Sequence, residues 1–330
     1  MNTMKTCKLF LYAAAVAALT AAGVATAQTA ATFPTKAVTL VVPFTPSSGS
    51  DIIARIIAPK LAARWGQSVV VDNKPGASGN IGARQVASAS PDGHTLLMAI
   101  NSFTMTPAIY KAMPFDAVAD FAPVAKLAEA GYTFAVNSNL PAKDMASLIA
   151  YLKKSEGKVN YATPGNGTPQ HLAMELFKSG AGVNALHVPY KGIQGALTDL
   201  MAGQVQLMFA TVHSMRPPIE SGKVRALAVT GATRNPLAPD VPTFKEQGIG
   251  YMDSVDAWYA VLAPAQTPAE LVSRLNRDFI EVMNSDDVKS ALAKQGLSVK
   301  TSSPEQLAAI IKSDLVRWKK VTIDAGITAD

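Results

Sequence analysis

Hydrophobic positions along the chain recur as a repeating strand, loop and helix unit. Residues 38–44 (VTLVVPF) form a β-branched run, which predicts a buried parallel strand. After a polar break, apolar residues from Ile52 to Leu61 fall on one face at helical spacing. The same order predicts strands at 69–71, 95–99, 159–162, 186–188, 205–210 and 224–230, and helices at 81–89, 169–178 and 193–202. The segment from 268 to about 326 reads as mostly helical, with amphipathic stretches at 268–284 and 304–320.

Alternating strands and helices predict an α/β fold in which mostly parallel sheets carry helices on both faces. Two such series are separated by connectors, one at about 120–135 and one near 254. We therefore expect two lobes, the first formed by residues 28–128 plus 255–330 and the second by residues 129–254. The apolar run that begins at Trp258 and Tyr259 is expected to be core.

The first residues have the order of an export signal. Lys5 and Lys8 precede an apolar, alanine-rich run at 9–25, and Ala25-Thr26-Ala27 offers a small-x-small cleavage site. The alternative is a membrane anchor, but the run is shorter than a span of about 20 strongly apolar residues. We expect residues 1–27 to be removed and the product to be periplasmic. The single cysteine, Cys7, leaves with this segment, so the mature chain has no thiol.

The net charge and the distribution of basic residues limit the kinds of partner that the protein is expected to bind. The formal net charge is +6, and the basic residues are scattered without an arginine-rich run or aromatic–basic interleaving. This balance favours anionic small molecules and argues against nucleic acid.

Three loops rich in Gly, Ser, Thr and Pro, at 47–51, 75–80 and 164–168, each join the end of a predicted strand to the start of a helix. In open α/β sheets ligands bind at this edge. Unpaired N–H groups at a helix N-terminus, together with the helix dipole, bind anions without a charged side chain. For any one loop, simple helix capping is the commoner role, and it stays open for Asp51 and Asn80. Three loops from two lobes favour one shared cleft for a small carboxylate.

The sequence offers little for catalysis. The four histidines have no metal-ligand spacing, no GxSxG elbow is present, and the loop at 165–170 lacks the third glycine of a dinucleotide fingerprint. We expect no catalytic residues, no metal and no cofactor. A serine hydrolase using Ser48 or Ser78 with His171 remains the enzymatic alternative.

At these loops the sequence resembles the Bug or TctC-like substrate-binding proteins of tripartite tricarboxylate transport systems. The matching pieces cover nearly the whole mature chain in order: 33–34, 38–44, Asp51, 73–77 with Gly79 and Gly82, 91–93, Tyr161 with 165–173, 188–192, 222–228, 239–243, 262–264 and 267–268. One departure is visible. Where these proteins usually have a Gly-Gly pair, this chain has Ser47-Ser48. If either position needs a positive φ, serine is strained; if neither does, two hydroxyls enter the pocket.

The resemblance implies a periplasmic binding protein of the two-lobed Venus-flytrap type. It also implies an organic acid ligand, often a dicarboxylate or aromatic carboxylate, held in the second lobe by the loop at 163–168 and fixed against the first lobe with the help of ordered water. Closure around the ligand then serves a membrane permease or, alternatively, a signalling partner as a sensor. The candidate ligand-binding residues are Phe44, Ser47, Ser48, Asp51, Ala77, Ser78, Thr163, Gly165, Gly167, Thr168, His171 and Lys191.

Two of these assignments carry a second interpretation. His171 either contacts the ligand or stabilises the loop backbone, with little to choose between the two. Lys191 either attracts the ligand at long range or is a solvated charge. For the neighbouring Tyr190 a structural role is preferred.

Overall fold

A computed structural model of the protein describes residues 33–231, 233–252, 255–324 and 326–327. The expected export segment, residues 1–27, lies outside the described residues. In the described part of the chain, no helix combines the length and apolar character needed to cross a bilayer.

The first lobe is built on a six-stranded sheet. Its strands are β1 (Val38–Val42), β2 (Val69–Asn73), β3 (Thr95–Ile100), β4 (Phe121–Ala130), β10 (Ala257–Pro264) and β11 (Ser298–Val299). They lie in the order β11-β4-β10-β3-β1-β2. β1 pairs in parallel with β2 and β3, whereas β10 is antiparallel to both of its neighbours and β11 is antiparallel to β4. Four strands therefore run in one direction, and β10 and β11 run against them.

The second lobe is built on a five-stranded sheet. Its strands are β5 (Tyr132–Asn137), β6 (Asn160–Thr163), β7 (Leu186–Pro189), β8 (Leu207–Thr211) and β9 (Val224–Val229). They lie in the order β7-β6-β8-β5-β9. β6 is parallel to β7 and β8, and β5 is antiparallel to β8 and β9. Each sheet therefore has the predicted majority direction, interrupted by an interior strand that runs the other way.

Helices cover both faces of both sheets. The described helices are α1 (Gly49–Trp65), α2 (Asn80–Ala87), α3 (Ser102–Met105), α4 (Met145–Lys154), α5 (Pro169–Ala181), α6 (Ile193–Ala202), α7 (Val212–Glu220), α8 (Ala269–Asn284), α9 (Asp286–Ala293) and α10 (Pro304–Asp324). In the first lobe, α1 and α8 cover one face, and α2 and α10 cover the other. In the second lobe, α4 and α5 cover one face, and α6 and α7 cover the other.

The predicted connector at 120–135 does contain the crossing between the two sheets, but it consists of strands and not of a loop. β4 and β5 occupy it almost entirely, with Gly131 alone between them, so the chain passes from one sheet straight into the other. β4 reads FAPVAKLAEA, with few β-branched residues, a proline and two charges, and long-range pairing with β10 overrides this weak local preference. The run at 257–264 is core as predicted, since all eight residues of β10 are buried. The lobe boundaries at 128/129 and 254/255 stay predictions.

Candidate ligand-binding cleft

The loop after β1 leads into α1 through a capped turn. Ser48 has extended backbone and is the N-cap of α1, and its hydroxyl accepts a hydrogen bond from the Asp51 N–H at 3.4 Å. Ser47 has φ +66°, in the left-handed region that glycine prefers. Of the two serines that replace the usual glycine pair, Ser47 is therefore the strained one, and Ser48 is a suitable cap.

Asp51 organises this loop from beneath. The carboxylate is 2 % exposed and accepts hydrogen bonds from the Ser47 N–H at 2.9 Å, from Arg55 at 3.0 Å and from Asn73 at 3.0 Å. Burial acts to raise the pKa of Asp51, but these hydrogen bonds outweigh it and lower the pKa below its ordinary value. With its acceptor capacity spent on the loop, Asp51 is better described as a loop-organising residue than as a direct ligand contact.

The loop between β2 and α2 has unusual backbone geometry. Four consecutive residues, from Gly76 to Gly79, have positive φ, and two of them are the non-glycine residues Ala77 (φ +45°) and Ser78 (φ +56°). Such conformations cost about 1–2 kcal/mol per non-glycine residue and cluster at functional sites. Asn80 is not a simple cap, because Gly79 is the N-cap of α2 and the Asn80 side chain accepts a hydrogen bond from Thr106 at 3.1 Å.

The loop between β6 and α5 is held by its own hydroxyl groups. The Thr168 hydroxyl donates to the Gly165 carbonyl at 2.8 Å, and the Gly165 N–H donates to the Thr163 hydroxyl at 3.3 Å. The Gly167 N–H donates to His171 Nδ1 at 3.1 Å. His171 is 6 % exposed, so the structure supports the interpretation in which its ring stabilises the loop backbone.

Beneath this loop, three rings form a stack. The ring centroids of His171 and His187 lie 4.0 Å apart, and those of His187 and Tyr161 lie 4.8 Å apart. Burial, with Lys178 nearby, lowers the pKa of His171 to about 4, and burial with His171 lowers the pKa of His187 to about 3. Both imidazoles are therefore neutral at pH 7, and the loop is not held by cationic side chains.

The three loops meet across the gap between the lobes. The Ser78 hydroxyl of the first lobe donates to the Asn166 carbonyl of the second at 2.5 Å. The Ile109 side chain of the first lobe packs against Gly167 so closely that a Cβ on Gly167 would lie 2.1 Å from Ile109 Cδ1. The Phe44 ring packs against Gly79, which links the first loop to the second. The two lobes are therefore in contact through the second and third loops, and the first loop is linked to the second.

Two of the three loops lead into helix N-termini that belong to opposite lobes. Within the described part of the chain, the backbone N–H groups of Gly49 and Ser50 in α1, and of Gln170 and His171 in α5, have no hydrogen-bond acceptor. These four donors lie in the first turns of α1 and α5, where the helix dipole favours an anion. The arrangement suits an anion that bridges the lobes.

Lys191, the remaining predicted residue, and its neighbour Tyr190 follow directly after β7. Lys191 is exposed in the loop after β7 and has no ion pair or hydrogen bond to another described residue, as expected for a solvated charge. Tyr190 has the preferred structural role, because its hydroxyl donates to Asp199 at 2.5 Å and its N–H donates to the Thr163 carbonyl.

The hydrolase alternative finds no support in these contacts. The Ser78 hydroxyl is bonded to a backbone carbonyl, and the Ser48 hydroxyl is engaged in capping. The Nδ1 atom of His171 is occupied by the Gly167 N–H. In the described residues, no group of three or more His, Cys, Asp or Glu side chains has the geometry to hold a metal ion.

Sequence reasoning missed three polar residues where the strands cross between the lobes. They are Asn101 after β3, Tyr132 at the start of β5 and Tyr259 in β10. Asn101 follows a predicted strand at the same sheet edge as the three loops, so the strand-end rule was a signal for it. The two tyrosines carry no local signal, because their position depends on the crossing of distant strands.

Comparison with known proteins agrees with this geometry. The model of the tripartite tricarboxylate transporter family receptor matches residues 53–327. The chain is 33 % identical to protein BugT of Bordetella pertussis over 310 residues, which cover 92 % of this chain and 94 % of BugT. Two solved structures from Rhodopseudomonas palustris are also similar. Rpa4515 with adipate has a TM-score of 0.83 and 36 % identity, covering 90 % of this chain and 99 % of that one. MatC with bound malate has a TM-score of 0.80 and 31 % identity, covering 88 % and 99 %. The chain therefore belongs to the tripartite tricarboxylate transporter receptor family.

Proposed function

We propose that this protein is a periplasmic solute-binding protein that captures a small organic carboxylate, with a dicarboxylate favoured, between its two lobes. The observation that carries the proposal is the pair of helix N-termini, α1 from one lobe and α5 from the other, that begin in two of the predicted binding loops and whose first N–H groups have no acceptor among the described residues. A ligand with a negative group at each end satisfies both sets of donors at once.

The chemistry of the cleft supports reversible capture. The predicted contacts are backbone amides and hydroxyl groups, and the one buried acidic residue among them, Asp51, is neutralised by Arg55. Neutral donors give directional hydrogen bonds to a carboxylate without a fixed counter-charge that would slow release. The relatives solved with adipate and malate support this ligand class, since both are aliphatic dicarboxylates.

Closure follows from the contacts between the lobes. The Ser78–Asn166 hydrogen bond and the Ile109–Gly167 contact form only when the lobes are together. A bridging ligand adds its own contacts to these and shifts the population toward the closed form. A membrane permease then recognises that form and takes up the ligand. We also propose that the chain reaches the periplasm through removal of residues 1–27.

A binding screen tests the ligand class. Purified protein is melted with monocarboxylates, dicarboxylates and tricarboxylates, aliphatic and aromatic, since a ligand of the native state raises the melting temperature by mass action. We expect dicarboxylates to give the largest shifts. An unchanged melting temperature across the panel, with no heat of binding by calorimetry, would contradict the proposal.

A variant ties binding to the predicted loop. Thr168→Val removes the hydroxyl that donates to the Gly165 carbonyl and holds the loop at the α5 N-terminus, and it is expected to weaken binding by up to about tenfold, the loss typical of one neutral hydrogen bond. Thr198→Val is the matched control, because its exposed hydroxyl also donates to a backbone carbonyl of the second lobe. Equal affinities for the two variants would contradict the assignment of this loop to the binding site.

Two measurements in cells test location and delivery. N-terminal sequencing of the periplasmic fraction is expected to begin at Gln28. Deletion of the gene is expected to abolish high-affinity uptake of the identified acid. Uptake that is unaffected by the deletion would argue against delivery to a permease.

A further inference from the structure

His187 lies in β7, beneath the loop that joins β6 to α5. In the parallel pairing of these two strands, His187 is the register partner of Tyr161, and Thr163 follows two residues after Tyr161. Side chains two residues apart in a strand point to the same face of the sheet, so Tyr161, Thr163 and His187 share one face. This register brings an imidazole ring next to the first residue of the loop.

A short hydrogen bond connects His187 to the loop. Its Nε2 atom lies 2.6 Å from the hydroxyl oxygen of Thr163, a residue that is 0 % exposed. The same hydroxyl lies 3.1 Å from the Gly165 carbonyl oxygen and accepts a hydrogen bond from the Gly165 N–H at 3.3 Å. A threonine hydroxyl has one hydrogen, so it donates either to His187 or to Gly165. The tautomer of His187 decides between them.

These contacts favour the tautomer of His187 that carries its proton on Nε2. In that tautomer the imidazole donates to Thr163, and the Thr163 hydroxyl donates to the Gly165 carbonyl. The carbonyl then accepts two hydroxyl groups, because Thr168 also donates to it at 2.8 Å. The other tautomer places the proton on Nδ1, which has no acceptor among the described residues. The Nε2 tautomer therefore satisfies the whole set.

The loop needs these bonds because glycines flank its central residue. Gly165 has φ +150° and Gly167 has φ +67°, on either side of Asn166. Glycine gives the backbone wide freedom, so the peptide groups around Asn166 rotate unless other contacts hold them. The two hydroxyl donors on the Gly165 carbonyl hold one of these groups in a single orientation.

The orientation of Asn166 matters to the contact between the lobes. Its carbonyl accepts the hydrogen bond from the Ser78 hydroxyl of the first lobe at 2.5 Å. The next residue, Gly167, packs against Ile109 of the first lobe. The segment that His187 holds through Thr163 is thus the segment that meets the opposite lobe.

A stack of rings holds His187 in the orientation that its hydrogen bond requires. The ring lies between those of Tyr161 and His171, with interplanar angles of 13° and 12°. At the Tyr161 end, the phenol is hydrogen-bonded to Glu175, and the Glu175 carboxylate also pairs with Lys178. Burial, with His171 nearby, lowers the pKa of His187 to about 3, so the ring is neutral at pH 7 and has a single N–H.

We propose that His187 is a positioning residue for ligand capture, which fixes the 165–167 backbone through the Thr163 hydroxyl without touching the ligand. The inference rests on the proposed function and adds a residue that supports it from beneath the loop. Without the His187 donor, the Thr163 hydroxyl no longer has to face Gly165, and the loop samples other orientations. The apparent affinity then falls in proportion to the fraction of molecules whose loop is correctly arranged.

Two substitutions separate the hydrogen bond from the ring. His187→Gln removes the ring but has an amide N–H₂ group that reaches the position of Nε2, whereas His187→Phe keeps a ring in the stack and removes the donor. Calorimetry with adipate is expected to show about 5- to 10-fold weaker binding for His187→Phe, the loss of one neutral hydrogen bond, and a change within about twofold for His187→Gln. The reverse order would show that the ring matters and the hydrogen bond does not, and would overturn the proposal.

A double-mutant cycle tests the route through Thr163. If His187 acts through this hydroxyl, His187→Phe costs little further affinity on a Thr163→Val background. Additive losses would overturn the proposal, because His187 would then act by another route. The control is His213→Phe, which changes a half-buried histidine of α7 in the same lobe and is expected to keep the wild-type affinity.

The tautomer is measured on the wild type and does not depend on the folding of any variant. Nitrogen-15 NMR of the histidine rings is expected to show the proton of His187 on Nε2. A proton on Nδ1 would overturn the proposal, because Thr163 would then donate to His187 and not to Gly165.

The outcomes also separate the two proposals. If the wild type binds adipate and His187→Phe binds it equally well, the positioning role is wrong and the proposed function stands. If the wild type binds neither adipate nor malate, the dicarboxylate assignment fails and the positioning role fails with it.

Discussion

The contact between Gly167 and Ile109 gives a direct test of lobe closure. In the closed form, alanine at position 167 places its Cβ 2.1 Å from Ile109 Cδ1. Apolar carbons normally approach to about 3.5–4.0 Å, so the two lobes must move apart or the isoleucine must rotate within its buried cluster. The open form has no such clash, because the two residues belong to different lobes.

Gly167→Ala has two energetic costs, one to the stability of the fold and one to ligand affinity. Gly167 has φ +67°, so alanine there costs about 1–2 kcal/mol of backbone strain, but this cost is the same in the open and closed forms. It lowers the free energy of unfolding and cancels from the binding affinity. Overpacking costs about 1–3 kcal/mol and is present only after closure. At about 1.4 kcal/mol per tenfold change, we expect Gly167→Ala to weaken binding about 5- to 150-fold.

Calorimetry with the tightest-binding acid of the screen measures this effect, and two further variants isolate its cause. Gly182→Ala, at the other end of the same helix, carries a similar strain at φ +62° but has no heavy atom within 4 Å of the added Cβ. It is expected to lose stability without losing affinity. On an Ile109→Ala background the added methyl group has space, so Gly167→Ala is expected to cost little further affinity. Equal affinities for Gly167→Ala and Gly182→Ala, or an undiminished loss on the Ile109→Ala background, would refute the reasoning.

Three further predictions concern stability. Ser47→Gly relieves the strain of a positive φ (+66°) and should raise the free energy of unfolding by up to about 1 kcal/mol. Ser48→Gly removes a helix cap and should not raise it. Chemical denaturation of the two variants compares these free energies. Because the folded pKa of His171 is about 4, below the ordinary 6.5, its contribution to stability is complete above pH 6.5 and is lost as the pH falls toward 4. Melting temperatures between pH 7.5 and 4.5 should therefore fall less steeply for His171→Asn, and parallel curves would contradict this. Asp51→Asn breaks a buried hydrogen-bond network and should lower the free energy of unfolding by about 1–3 kcal/mol. Asp72→Asn, at a partly exposed ion pair, is the control and should lower it by under about 1 kcal/mol. Similar losses of stability for the two variants would argue against the network.

Much of the fold follows from local patterns in the sequence. The units from β1 to β3 and from β6 to β8 have β-branched or apolar strands followed by helices, and the structure has each of them close to its predicted bounds. Contacts link the three loops at the carboxyl ends of these strands, and the shared ligand cleft that the rule for open α/β sheets predicts stays a prediction. The roles of the individual candidate residues stay predictions.

What the sequence did not reveal depends on contacts between distant segments. β4 and β5 form because they pair with strands about 90 to 140 positions away in the chain, so their own composition is a poor guide. The Ser47-Ser48 question needed backbone angles, which placed the strain on Ser47 alone. Tyr259 read correctly as core, but only the packing of β10 against α1 brings its hydroxyl to Gly49.

The position of β10 constrains the order in which the molecule assembles. This strand separates β3 from β4, yet it is made only after every strand of the other sheet. In a nascent chain that ends before residue 257, β3 has an unpaired edge and β4 has no partner on either side, while the middle segment already holds all five strands of its own sheet. The middle of the polypeptide is thus able to fold first, and the beginning is completed last.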